Sequence, residues 1–478
     1  MPPIRVSFHA ARREFAAGMR ALRAELGVPS HHPPSVQALA ARRARGTTIG
    51  DRADLRDIPF VAIDPEGSRD LDQAYFGERR GRGYRVRYAI ADVAHFVFEG
   101  DAIDAEAHLR GVTLYAPDGN AALHPRVLSE GAASLAARSE RPALVWRLDL
   151  DADGALTDAG LERARVVTRE AISYDEAQRR IDAGEGPESL LLLREIGELR
   201  RKRERERGGV SVNLPGQEVD SAETGYVLRY SAPRPVERWN AQISLLTGIA
   251  AARLMLSAGT GILRTLPPAD PEVLASLRRR ADALGLAWRD DQSYPHFVGG
   301  LSADRAEGAA MLTQSLRALR GAGYQAFDGS PPQTRVHAGV ASEYAHVTAP
   351  LRRLVDRFSL EAALAAANGR RPPDWVLTAL EDLPETMGAA RRREGEFERS
   401  VVDLAEAIVL KPCVGKRFPA EVVDRNKDRV TVMLREPAIV ARTAEGRRAD
   451  LGDEVTVRVD AADPVSRHIG LTVVDVRP

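Results

Sequence analysis

The chain has 478 residues, 44% of them hydrophobic and 28% charged, with 68 basic against 68 acidic side chains. Those proportions are ordinary for a folded protein and exclude wholesale disorder, and a zero net charge points to no particular partner. The lone Cys413 excludes an internal disulfide and a cysteine zinc site, and the longest apolar stretch, Ile243–Leu256, is broken by Arg253 and reads as too short to span a bilayer.

At about 150 residues per domain the length suggests about three domains. The opening Met1-Pro-Pro-Ile-Arg5 has no apolar leader, so a cytoplasmic protein with no membrane contact is expected. Phe8–Leu26 has helical periodicity, Pro29–Pro34 breaks it, and Val36–Arg45 is a second helical run closed by Gly46. These two helices read either as a helix-turn-helix-like unit or as a packing hairpin, over residues 1–50. Residues 57–170 read as β-rich, with strands at Ile58–Ile63, Tyr84–Val93 and Val145–Leu150. From Tyr174 the pattern turns helical, at Leu190–Arg207, Ala241–Leu256, 271–285, 304–322 and 374–410. The basic run Arg200–Arg207 is interleaved with Glu204 and Glu206, so it is either a solvated face or a wall that tracks phosphates. The tail holds five short strand candidates, Phe418–Val423, Arg429–Leu434, Ala438–Ala441, Glu454–Val459 and Ile469–Val476, the number and size of an OB-type barrel. The fold class is α+β: a small helical unit at 1–50, an α+β region at 51–408, and a five-stranded barrel at 409–478.

Of the 68 basic residues only four are lysines, Lys202, Lys411, Lys416 and Lys427. Arginine is the better bidentate phosphate binder, but the skew reads first as compositional bias, because Ala and Gly are also abundant. The segment most telling of chemistry is Ile63-Asp64-Pro-Glu66-Gly-Ser-Arg-Asp70-Leu-Asp72-Gln73. Asp64 ends an apolar strand, and Asp70 and Asp72 face the same way in extended backbone. Packed carboxylates repel one another unless something positive neutralises them. Hard oxygen ligands suit Mg²⁺ or Mn²⁺ and metal-assisted phosphoryl transfer. The twelve-residue calcium loop does not fit, because its last position would be Tyr75. A solvated acidic turn is the other reading of the spacing alone.

This stretch resembles the metal-binding motif of the ribonuclease II (RNB) family of 3′→5′ exoribonucleases. The similarity continues in order through Tyr88–His95, Arg110–Pro117, His124-Pro125 with Leu128-Ser129, Leu199–Gly208 and Tyr344–Asp356, covering roughly residues 57–405. The resemblance implies that the region at 51–408 is a sheet surrounded by helices. It also implies processive Mg²⁺-dependent hydrolysis of single-stranded RNA to 5′-mononucleotides, with Mn²⁺ as an alternative ion, by a monomer for which no protein partner is inferable. It places Asp64, Asp70 and Asp72 at three of four active-site aspartates and Gln73 at the fourth, a neutral oxygen where a carboxylate is expected. It implies that Asp70, Asp72 and Arg352 carry the chemistry. Arg352 also reads as lying near the N-terminus of a helix opened by Thr348-Ala349-Pro350, where free N–H groups favour a phosphate. The resemblance further assigns Tyr115, Tyr174, Glu398 and Arg353 to RNA binding. It departs at Val212, where a stacking aromatic is expected, and at Ala241-Gln242, where an acidic pair is expected; Asn240 and Gln242 are then the candidates for a ribose hydroxyl. Typical bacterial members carry two cold-shock domains before the acidic motif, which the residues ahead of Asp64 cannot hold, so a more open RNA entrance is expected, one that admits duplex with a short 3′ overhang. The alternatives are a catalytically weak RNA-binding paralogue and a metal phosphodiesterase acting on single-stranded DNA.

Overall fold

The computed structural model describes residues 8–210, 212, 216–222, 225–231, 233–303, 305–426, 429–443 and 449–477. The opening pentapeptide, Ser211 and residue 304 of the predicted helix 304–322 lie outside the described residues. The chain begins with helices α1 (Phe8–Glu25) and α2 (Pro34–Gly46). α1 buries Phe15, Met19 and Leu22 in the large core that also holds Phe397 and Leu404, whereas Val36 and Ala40 of α2 belong to a second core with Phe60 and Ile103. The two helices are therefore anchored in different cores, which is not how a helix-turn-helix module is built.

A six-stranded sheet follows: β1 (Ala53–Asp54), β2 (Phe60–Asp64), β3 (Gln73–Arg80), β4 (Gly83–Ala91) and, after helix α3 (Ala102–Arg110), β5 (Glu140–Leu150) and β6 (Leu156–Ser173). Its order is β1-β6-β2-β3-β4-β5, and β6 also pairs with β5, so strands β2 to β6 close into a ring. β6 achieves this by its length. Residues 156–167 run antiparallel to β5, while Thr168–Ser173 run parallel to β2. The ring buries Trp146, Tyr75, Tyr88 and Phe60 almost completely, each contributing roughly 1.5–3 kcal/mol of apolar burial.

Ser173 caps α4 (Tyr174–Ala183) by accepting from the Glu176 N–H. α5 (Glu188–Glu206) and the hairpin β7 (Gly216–Ala222) and β8 (Gly225–Ser231) lead to α6 (Pro235–Ala258). α6 is longer than the apolar stretch read from the sequence, and long and apolar enough to cross a membrane. Here it is a core helix, with Trp239, Ile243, Leu246 and Met255 buried. It packs so tightly on α5 that a Cβ at Gly197 would fall 2.5 Å from that of Trp239. β9 (Thr260–Thr265) is separated from its antiparallel partner by the helical layer α7 (Pro271–Ala283), α8 (Tyr294–Gly299) and α9 (Ala306–Ser315). That partner is β10 (Gly323–Asp328), with Tyr324 opposite Arg264. The two-residue strands β11 (Val336–His337) and β12 (Ser342–Glu343) precede α10 (Leu354–Ala367) and the 37-residue α11 (Asp374–Leu410).

The tail forms a five-stranded sheet of β13 (Arg417–Asn426), β14 (Arg429–Leu434), β15 (Ile439–Arg442), β16 (Glu454–Asp463) and β17 (His468–Arg477), in the order β15-β14-β13-β16-β17. A parallel bridge from Thr443 to Leu471 draws the two edges together. This is the expected OB-type half-barrel behind an α+β region.

Candidate active site

The acidic segment is held from several sides. β2 delivers Asp64 at its end, in register with Ser173 of β6. Gly67 turns the chain with φ +81°, a conformation that favours glycine. The Leu71 N–H then donates to Ser134 Oγ, which itself donates to the Arg69 carbonyl. The Leu135 N–H donates to the Leu71 carbonyl, and the Ala91 N–H to that of Asp72. Asp72 is thereby buried with its carboxylate turned toward a distant turn: Oδ1 accepts from the Leu351 N–H at 2.7 Å and Oδ2 from Arg352 Nε at 3.3 Å.

That turn is itself stapled to the segment carrying Tyr115. The Thr113 N–H donates to the Arg352 carbonyl, the Leu354 N–H donates to the Gly111 carbonyl, and Val112 bridges Arg353. Gly111 has φ +69°, and a Cβ there would sit 2.4 Å from Ala390 of α11. Tyr115 closes the circuit by donating from its hydroxyl to Asp70 at 3.1 Å. The helix start differs from the sequence reading. Residues 350–352 form a turn, α10 begins only at Leu354, and the Ala349 N–H donates to Asp356. Arg352 thus lies just before the helix. Its side chain is 44% exposed, and Nε on Asp72 is its one hydrogen bond among the described residues, so both terminal nitrogens remain for a ligand.

Burial dominates the electrostatics. It pushes Asp64 up to about 7, with Arg352 opposing and Asp70 adding to the rise. It pushes Asp72 up to about 8, opposed by Arg352 and the Leu351 N–H. The Asp64 carboxylate makes no hydrogen bond or ion pair among the described residues. Buried anionic oxygens short of positive charge are what a hard divalent cation neutralises, so the donor set fits Mg²⁺ or Mn²⁺. The expectation of three carboxylates already gathered into one pocket needs correction, however. Among the described residues no three His, Cys, Asp or Glu side chains form a ready-made cation cage. Asp72 is turned toward Leu351 and Arg352, and Asp70 toward Tyr115. Gln73 does not offer its oxygen either, because Oε1 accepts from the Tyr88 hydroxyl and, at 3.5 Å, from Ser244.

The electrostatics give a stability prediction. Folding raises both carboxyls above their ordinary value of 3.8. Stability is greatest below that value and falls as pH climbs toward about 8, because the unfolded chain gives up these protons first. In EDTA an Asp64→Asn variant should therefore melt higher than the parent at pH 8, by on the order of 2 °C, and by less at pH 5. Scanning calorimetry at both values checks this, and an equal gap at the two would contradict it.

A cavity of about 330 Å³ opens beside Arg352, lined also by Val112, Thr113, Tyr115, Arg353 and Met387. Sequence reasoning missed its far wall: Arg264 of β9, Tyr324 of β10, His337, His346, Arg391 and Glu394. The Arg264 guanidinium lies 4.6 Å over the Tyr324 ring, and the Tyr324 hydroxyl pairs with His346 Nδ1 at 2.8 Å. Burial keeps both histidines uncharged, pushing His337 down to about 4 and His346 well below its usual range. Arg353 reaches this cavity but is already held by a bidentate pair with Asp356, so it serves as wall more than as a free phosphate ligand.

Tyr174 is half-buried between Asp64 and Asn240, and burial raises its hydroxyl to about 12. Glu398 is exposed on α11, one turn beyond Glu394, the α11 carboxylate that lines the cavity. Gln242 is buried and donates to Glu204, and Asn240 is buried against the Ile63 carbonyl, so neither is presented to a ribose. Val212 is packed with the helical layer around Trp288 and Phe297. Within the basic run Arg200 and Arg207 donate to the carbonyls of Gly154 and Val340, and Arg201 and Arg203 pair with Glu198 and Glu206 along the helix.

Buried carboxylates tied to an arginine that lines a cavity, in a chain that ends in an OB-type barrel, form the arrangement that comparison with known proteins places in a family. Residues 52–362 match the family model described as the RNB domain, and residues 416–474 match the RNase II-type exonuclease C-terminal S1 domain. The chain belongs to the RNB family, whose nucleases are generally metal-dependent. It is 26% identical to ribonuclease R of Escherichia coli over 482 aligned residues, covering 88% of this chain and 57% of that protein. It is 29% identical to exoribonuclease 2 of Cronobacter sakazakii over 412, covering 82% and 62%. The chain thus spans about three fifths of the length of these relatives. In fold it is similar to Mycoplasma genitalium RNase R in complex with ribose-methylated single-stranded RNA, with a TM-score of 0.85, 18% identity, and coverage of 96% and 78%. It is also similar to yeast Ssd1, described as a pseudonuclease, with a TM-score of 0.67, 15% identity, and coverage of 95% and 59%.

Proposed function

We infer that the protein is a 3′→5′ exoribonuclease that hydrolyses single-stranded RNA to 5′-mononucleotides with Mg²⁺. The observation that carries this reading is Asp72 accepting from Leu351 and Arg352 together, which joins the acidic loop to the arginine turn, while Arg352 and Tyr115 line the neighbouring cavity. Asp64, Asp70 and Asp72 would hold the cation, which when bound supplies charge neutralisation at the scissile phosphate. Arg352, with two nitrogens unengaged, stabilises negative charge on the phosphate as the terminal ester bond breaks. The exposed ring of Tyr115 offers a sequence-tolerant stacking face for the terminal nucleotide. The Mycoplasma genitalium enzyme was captured with single-stranded and with double-stranded RNA, which supports RNA as the substrate.

Chromatographic product analysis tests this: 5′-mononucleotides should accumulate from an RNA oligomer and not from its DNA counterpart. Accumulation from DNA alone would overturn the reading. Tyr115→Ala should raise KM about tenfold, since base stacking is worth about 1–3 kcal/mol, whereas Tyr115→Phe keeps the ring and should stay within about threefold. Equal losses in steady-state kinetics would show that the hydroxyl on Asp70, and not the ring, matters. A second reading, an RNA binder without turnover, is favoured by Gln73 at the fourth acidic position and by the likeness to a pseudonuclease.

A further inference from the structure

The loop that carries Tyr115 is closed at its base and gripped at its tip. At the base Leu114 and Ala121 form an antiparallel bridge, each N–H donating to the other's carbonyl at 3.0 and 2.9 Å. Within the loop the Gly119 N–H donates to the Ala116 carbonyl, and the Ala116 N–H to Asn120 Oδ1. The tip is met by Arg23 of α1, 95 residues before Asp118 in the chain. Arg23 donates through Nε and Nη2 to the two carboxylate oxygens of Asp118, at 3.3 and 2.7 Å, and through Nη2 to the Gly119 carbonyl as well. Among the described residues, every hydrogen bond that reaches residues 116–120 from another element comes from this one guanidinium.

Arg23 can serve as a clamp because α1 is itself fixed. Phe15, Met19 and Leu22 are buried against α11, and a Cβ at Gly18 would fall 2.6 Å from Leu404 Cδ1. Polar ties hold both halves of the helix: Lys411 pairs with Glu14 at 2.7 Å, and Arg467, between β16 and β17, with Glu25 at 2.8 Å. The Arg23 guanidinium lies 5.4 Å over the Phe397 ring and its side chain is only 8% exposed. A buried planar fork engaged by a carboxylate and a carbonyl together fixes orientation as well as distance. The chain that follows the loop is gripped in the same way. His32 Nε2 donates to the Leu123 carbonyl at 3.3 Å, and Arg110 joins the carbonyls of Ala122 and His31 at 3.1 and 3.0 Å.

Tyr115 is the residue that gains from this grip. Its ring is largely exposed, with the hydroxyl on Asp70. A base that stacks on an exposed ring must order the ring and the backbone beneath it, and that cost falls when the backbone is already held. We propose that Arg23 is a positioning residue for the terminal nucleotide: by fixing Asp118 and Gly119 it presets the loop so that the Tyr115 ring stands ready to stack. The proposal deepens the exoribonuclease reading and rests on it for Tyr115 as the stacking face.

The test is binding of two 5′-fluorescein RNA tetramers to the full chain in EDTA, one ending in adenosine and the other in an abasic ribose at its 3′ end. The parent should prefer the base-ended tetramer about tenfold, the scale of one base on an aromatic ring. Arg23→Ala should shrink that preference to about threefold while moving the abasic Kd by less than about twofold, because only the stack depends on the preset loop. Asp118→Ala removes the same pair from the loop side, leaves the packing of α1 untouched, and should shrink the preference equally. In a Tyr115→Ala background, Arg23→Ala should change neither Kd, since the two residues then share one effect. A preference unchanged by Asp118→Ala, equal weakening of both tetramers, or a parent that binds the two alike would overturn the proposal. Because binding is read without metal, absence of turnover by the parent protein would count against the exoribonuclease reading alone.

Discussion

Asp72→Asn should release mononucleotides from single-stranded RNA on the order of 10³-fold more slowly than the parent, the scale of loss when a preorganised transition-state group is removed. The residue is expected to be this sensitive because its carboxylate serves three relationships at once. It accepts from the Leu351 N–H, it orients Arg352 through Nε, and it is one of the three anions that would hold the cation. Asparagine keeps an oxygen for one donor but removes the charge. RNA affinity should fall less than threefold, because the exposed phosphate and base contacts lie elsewhere. Single-turnover kinetics beside a gel shift separates the two quantities. Near-parental turnover would remove Asp72 from the chemistry.

Arg352→Ala should lower kcat by on the order of 10²–10³ with KM changed far less, because a contact made mainly in the transition state appears in kcat. Arg352→Lys should recover only a small part of that loss. Lysine has no Nε to hold on Asp72, and a point charge cannot keep one N–H on a carboxylate while the others fork toward a phosphate. A large rise in KM with kcat intact would instead make Arg352 a simple binding residue. Arg353 provides the contrast. Its guanidinium is tied to buried Asp356, so Arg353→Ala should act mainly on stability, leaving that carboxylate unpaired.

Much of this arrangement was legible in the sequence because its signals are local. The strand ending in Asp64, the alternate Asp70 and Asp72, the helix at 374–410 and the five tail strands each carry their pattern within a short window. β6 was not legible because arginines interrupt its alternation. Arg163 and Arg165 sit in the strand paired with Asp92, Glu361 and Asp54, so what looks polar in one dimension is neutralised in three. The start of α10 was misplaced because the cap comes from inside the helix: Asp356 holds the Ala349 N–H across an intervening turn. Gln73 looked like a substituted ligand, and only the fold brings Tyr88 and Ser244 onto its oxygen. The far wall of the cavity was invisible because Arg264, Tyr324 and His346 come from separate stretches joined by strand pairing. One clue was present: Arg264 is a charged residue inside the short apolar run Gly261–Leu266, and that strand is buried along its whole length.

The central claim, a metal-dependent nuclease working from the 3′ end, is tested most directly by one time course. The purified chain is incubated with 5′-labelled single-stranded RNA and Mg²⁺, with an EDTA arm beside it. The expected result is a ladder that shortens progressively from the 3′ end and stops completely in EDTA. Intact RNA in both arms, with a gel shift showing that the protein still binds it, would contradict the account and make this chain an RNA-binding member of its family.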